Sequence, residues 1–164
     1  MRPAKSQSPG GGGVSVRRLT AGEQAFAAEQ FGAAVDGARV RILALPLWPR
    51  AFVAGASLMV WPARALRPDF AGPGVPLAEQ AVFIHELTHV WQAQNGVNLL
   101  LAKIKAGDGP AAYAYDLTDG REFPEMNIEQ QAMVVEDAFR LSRGGAAPHP
   151  AALYAAQRRH WAGT

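Results

Sequence analysis

Polar and apolar residues recur along this chain with two different periods. Over residues 39–45, Val40, Ile42 and Ala44 alternate with Arg39, Arg41 and Leu43, the two-residue period of a half-buried strand. Residues 52–61 hold a second strand-like run, Leu58-Met59-Val60-Trp61, closed by Pro62. Pro46 and Pro49 break the chain between the two. Elsewhere the period is helical. Thr20 followed by Glu23 is the signature of a capping box and predicts a helix over 20–35 with a weak stripe of Phe26, Ala27, Phe31 and Ala34, stopped by Asp36-Gly37. A turn-rich stretch, 68–76, leads into a helix over 76–96. There Phe83, Ile84, Leu87, Val90 and Trp91 form the apolar back, Pro76 suits the start, and Asn95-Gly96 suits the end. Residues 99–105 read as a short helix and 107–120 as a loop. Residues 125–142 read as a helix with Ile128, Ala132, Val135 and Phe139 on one side, ended by Gly144-Gly145. A last helix over 150–161 docks through Leu153, Tyr154 and Trp161. This order predicts an α+β fold, mostly helical, with a small sheet before the 76–96 helix.

A chain of 164 residues makes one domain. Residues 1–18, rich in Pro, Gly, Ser and basic residues, have nothing to pack and are expected to form a disordered tail, leaving 19–164 as the folded domain. No apolar core of a Sec signal follows the early positive charges, so the expected location is cytoplasmic, or exported without a Sec signal. No apolar run reaches the ~18 residues that would predict a membrane helix, and no membrane partner is expected. A net charge of +2 gives no footprint for nucleic acid. The charge is nevertheless uneven. Residues 106–137 hold eight acids against Arg121, which predicts a solvated acidic face, with a preference for basic substrates as the other reading. With no cysteine, any metal must be held by imidazole and carboxylate.

That last constraint gives weight to His85-Glu86-Leu87-Thr88-His89, an H-E-x-x-H motif inside the 76–96 helix. At ~3.6 residues per turn, His85 and His89 stand on one face with Glu86 about 100° round from His85. Two imidazoles can then grip zinc from one side, and the carboxylate beside them can take a proton from water without being a ligand. Catalytic zinc takes a third protein ligand. An extended motif with a third histidine is excluded, because Gln92 and Asn95 stand where Gly and His are required. A carboxylate on the 125–142 helix is the alternative: Glu129, polar amid Ile128, Ala132 and Met133, or else Glu136 or Asp137. Asp116, His149 and His160 complete the set of candidates. Glu136 and Asp137 are also candidates to accept the other N–H of a ligating histidine and so hold its ring in place. Their bland reading is a solvated helix face.

The run I-H-E-L-T-H-V-W-Q, followed by a helix carrying E-Q-Q-A, resembles the gluzincin branch of the zincin metallopeptidases. More narrowly, it resembles the small HELTH domains found beside contractile injection systems, the Vgr-related proteins. The likeness covers about 19–143 and is sharp only in the motif helix and at 127–132. It implies a minimal zincin-like domain with zinc (Zn2+) on His85, His89 and Glu129, Glu86 as general base, and secretion-machine components among its partners. One position departs from the pattern: where many gluzincins carry an Asp four residues after the ligand Glu, this chain has Met133.

The reaction so implied is hydrolysis of a peptide or protein substrate. Tyr113, Tyr115 and His149 are the candidate oxyanion donors, and the 56–61 strand is a candidate edge for pairing with an extended substrate. Two other readings stand beside this one. The first is a zinc-containing accessory or docking domain of a secretion or injection system that cleaves nothing or only itself. The second is a purely structural helical protein with a fortuitous motif.

Overall fold

The computed structural model describes residues 13–163. The fold is α+β, with a four-stranded sheet preceding most of the helices. Strand β1 (Ser15–Arg18) pairs antiparallel with β2 (Arg41–Leu45), β2 runs parallel to β4 (Leu58–Pro62), and β3 (Phe52–Ala54) pairs antiparallel with β4, so the order is β1-β2-β4-β3. The helices are α1 (Ala21–Phe31), α2 (Leu77–Gln94), α3 (Leu99–Ala106), α4 (Pro110–Tyr113), α5 (Ile128–Ser142) and α6 (Ala151–Gln157). Among the described residues no helix is long and apolar enough to cross a membrane.

The expected elements form where the patterns place them, with shifted ends. In β2, Ile42 and Ala44 are buried while Arg41 and Leu43 are half-buried. In α1, the Thr20 hydroxyl accepts from Glu23 N and the Glu23 carboxylate accepts from Thr20 N, the reciprocal capping box. The helix at 125–142 begins at Ile128, because Asn127 caps it by accepting from Glu129 N and Gln130 N. Gly96, at φ +93°, ends α2 in the left-handed region that a side chain disfavours. Gly145 sits in a tight place for a different reason: a Cβ there would come within 3.0 Å of the Arg140 carbonyl oxygen and push the Leu77 side chain at 2.7 Å aside.

Three expectations change. Residues 1–12 of the predicted tail lie outside the described residues, but Ser15–Arg18 are a strand. What ties β1 down is Arg17, whose guanidinium makes a two-point contact with Glu23 at 2.7 Å. The loop expected over 107–120 contains the short helix α4. The sheet edges are β1 and β3, not the 56–61 segment, because β4 lies between β2 and β3.

The main helix–helix interface is between α2 and α5. The back of α2 is fixed by aromatic contacts at both ends. Phe83 stacks on Phe70 at 4.9 Å, and Phe70 meets Trp61 of β4 at 4.6 Å. Two turns later Trp91 stacks on Phe31 of α1 at 6.2 Å and contacts Phe123. Phe83, Ile84, Leu87 and Val90 are fully buried, so α2 cannot rotate without exposing them. His85 and His89 therefore keep one direction, toward α5.

Glu23 is fully buried and receives hydrogen bonds from Arg17, Thr20 N and, at 3.0 Å, Phe70 N, joining β1, α1 and the loop before α2. Glu23→Ala is expected to lower stability by roughly 2–4 kcal/mol, somewhat less than for a fully buried pair because Arg17 retains contact with water. Urea unfolding measures it, and a loss under about 1 kcal/mol would show the junction to be dispensable.

Candidate metal centre

His85 and His89, one turn apart on α2, and Glu129, in the first turn of α5, bring one ligand atom each to within 4.8 Å of one another. All three are buried. Both Nε2 atoms face the same oxygen of Glu129: His85 Nε2 lies 3.3 Å from Oε2 and His89 Nε2 lies 3.4 Å from it. These separations are long for a charge-assisted hydrogen bond, which runs about 2.7–2.9 Å. They match the edge of a tetrahedron with bonds of about 2.1 Å, which is roughly 3.4 Å.

The far side of each ring decides which nitrogen is available. His85 Nδ1 is 3.1 Å from Glu136 Oε2, and Arg140 holds the other Glu136 oxygen. Burial opposes a charge on Glu136, but His85 and Arg140 outweigh it and hold the carboxyl below its ordinary range. An ionised Glu136 can only accept, so Nδ1 carries a proton, and once the ring gives up its second proton Nε2 turns its lone pair to the cluster. His89 is set differently. Its Nδ1 lies 2.8 Å from Gln92 Oε1, while Gln92 Nε2 donates to Ile128 O and Gln131 Oε1, which fixes the amide's orientation. Nδ1 of His89 is again the donor, which leaves Nε2 facing the cluster.

Charge balance in this buried cluster is tight. Burial works against the charge of Glu129, but His85, His89 and Lys103 hold its carboxyl far below the usual range. Burial also disfavours a charged His85, yet Glu129 and Glu136 push the imidazole up to about 9 in the metal-free protein. Burial pushes Glu86 up. Glu86 Oε2 is buried without a hydrogen-bond partner among the described residues. A buried carboxylate oxygen is normally bonded, and one left unpartnered beside a His-His-Glu cluster fits a site that a metal and water would complete. The donor set, two imidazole nitrogens and one carboxylate oxygen, is one that zinc favours.

The cluster lies at the wall of an open cleft of about 990 Å³, bordered by β3 (Phe52, Val53) and the preceding Trp48 on one side and by Leu100 and Lys103 of α3 on the other. Of the three candidate oxyanion donors, only Tyr113 lines it, its ring stacked on His85 at 6.3 Å. Tyr115 is committed elsewhere, donating to Asp137 Oδ2 at 2.5 Å and sharing a hydrogen bond with Tyr154. His149 packs beside Tyr115 and accepts from Leu117 N. Asp137 serves that tyrosine pair and not a ligand histidine, whereas Glu136 meets His85 directly. Neither carboxylate lies on a solvated face, since both are buried; the expected acidic face is confined to exposed residues such as Asp108 and Asp116. Asp116 binds Thr118, and His160 stacks on Phe123, so neither joins the cluster. The place of the missing Asp, Met133, lines the cleft, and Glu136 one turn later does the orienting. Gln92 and Lys103 carry no signal in the sequence beyond their polarity.

No protein-family model matches the chain. The chain is a homologue of the VgrG2b effector domain. It is 35% identical over 133 residues to the type VI secretion system spike protein VgrG2b of Pseudomonas aeruginosa, across 75% of this chain and 13% of that protein. The chain therefore spans only 13% of the relative's length. The solved effector domain of Pseudomonas aeruginosa VgrG2b matches with a TM-score of 0.66 at 29% identity, covering 90% of this chain and 84% of that one.

Two outcomes are expected. Metal analysis should find about one zinc per chain, lost in His85→Ala with His89→Ala; Glu129→Ala should weaken binding further than Glu136→Ala, whose effect is about ten- to a hundredfold. A reversed order would move the ligand role to Glu136. Because His85 is protonated below about 9 without metal, and a ligand must be neutral, zinc binding at about pH 7.5 should release about one proton, its affinity rising about tenfold per pH unit toward 9. Calorimetry in buffers of different ionisation enthalpy measures this, and a heat independent of buffer would refute it.

Proposed function

We propose that this homologue of the VgrG2b effector domain is a zinc-dependent peptidase that cleaves a peptide or protein substrate, with Glu86 as general base. The observation that carries the reading is the buried, unpartnered Glu86 oxygen beside a His-His-Glu cluster at the wall of an open cleft. The residues that would hold the ion are His85, His89 and Glu129. Bound there, zinc would make water more acidic and polarise a carbonyl oxygen.

The remaining work falls to the chain itself. Glu86, its basicity raised by burial, takes a proton from the attacking water and returns it to the leaving amine. The Tyr113 hydroxyl accepts from Lys103 at 3.2 Å, which leaves its own proton to donate to the oxyanion. Glu136 and Gln92 keep both imidazoles oriented without rearrangement. The outer edge of β3, bordering the cleft, can add an extended peptide as a further strand. Secretion-machine components remain proposed partners on the strength of the similarity to a spike protein.

A second reading, a zinc-holding accessory or docking domain without catalysis, draws on that same similarity, which supports the association with a type VI secretion system and carries no named activity. The two part at Glu86. Glu86→Gln should keep fold and zinc while lowering cleavage of a mixed peptide library by about two to four orders of magnitude, read as new termini by mass spectrometry with and without chelator. Cleavage that survives in Glu86→Gln rules out the proposed base. A wild type that binds zinc yet generates no termini favours the docking reading.

A further inference from the structure

Glu129 has two oxygens, and the fold treats them differently. Oε2 faces both histidines, whereas Oε1 accepts from Lys103 Nζ at 2.5 Å. Lys103 comes from α3, where Asn98 caps the helix by accepting from Leu101 N, and its ammonium also donates to Tyr113. Asp108 Oδ1 lies 3.5 Å from the same ammonium, but its side chain is 71% exposed, so that pairing is weak beside the one to Glu129. A carboxylate without such a partner can turn both oxygens toward a metal. A second oxygen would crowd the position that catalytic sites leave for water and raise the coordination number from four to five.

We propose that Lys103 is a positioning residue that holds Glu129 as a one-oxygen ligand and thereby reserves a coordination position for water. The proposal rests on the metal-site reading above. It accounts for a cation placed against a ligand already paired with two imidazoles. It also separates the role of Lys103 from that of Glu136, which acts on a histidine. Arginine can make the same contact through its guanidinium, whereas methionine and alanine cannot.

Cobalt(II) alone, loaded in place of zinc, tests this, because four-coordinate cobalt absorbs visible light several-fold more strongly than five-coordinate cobalt. Wild type and Lys103→Arg should share the intense spectrum. Lys103→Met and Lys103→Ala, checked for fold by circular dichroism and saturated with cobalt, should show the weaker one, and X-ray absorption should count an added oxygen. Either neutral variant folded with the wild-type spectrum would overturn the proposal while leaving the metal site standing. A five-coordinate wild type would overturn it equally. A wild type that takes up no cobalt would remove the metal-site reading and this proposal together.

Discussion

Keeping several ionisable groups close together out of water is the constraint on which this structure turns. His85, Glu86, His89, Glu129 and Glu136 are all buried, and each would be costly there without compensation. The surrounding fold supplies it. Lys103 balances Glu129, Arg140 balances Glu136, and Gln92 gives His89 a neutral acceptor. Of these five, Glu86 alone has an oxygen without a hydrogen-bond partner among the described residues, and burial pushes its carboxyl up.

The α2–α5 interface carries this arrangement, and hydrogen bonds join the two helices near their ligands as well as within the core. Gln92 of α2 reaches Ile128 O and Gln131 of α5, and Gln131 in turn donates to Phe123 O and Met126 O in the turn before α5. A shift of α5 along α2 would break that chain of amides before it moved Glu129 far from the histidines. Preorganisation of this kind lets a site bind and act without reordering its side chains.

Around the rigid cluster the cleft walls are more exposed. Leu100 of α3 is 72% exposed, and Phe52 on β3 is 37% exposed. Arg50 reaches across to Asp108 at 3.5 Å, an exposed pair that contributes little to stability. The similarity to VgrG2b concerns the effector domain of a spike protein.

Local chemistry made much of this legible before any coordinates. The helical period and the H-E-x-x-H spacing place His85, Glu86 and His89 on α2, and the capping box places α1, because those signals act between residues within a turn or two of one another. The period-2 run likewise places β2. Spacing alone left the acidic residues of α5 as a set, Glu129, Glu136 and Asp137, and only the resemblance singled out Glu129. Which of them meets which partner depends on contacts 44 and 51 residues apart along the chain. For the same reason β1 looked like tail: its stabilising partner is Glu23, whose visible role was the cap. Lys103, Gln92 and the choice of Tyr113 over Tyr115 belong to the tertiary structure alone. An ammonium, an amide or a phenol carries no period, and its role is set by whatever the packing of α2 against α3 and α5 brings to its tip.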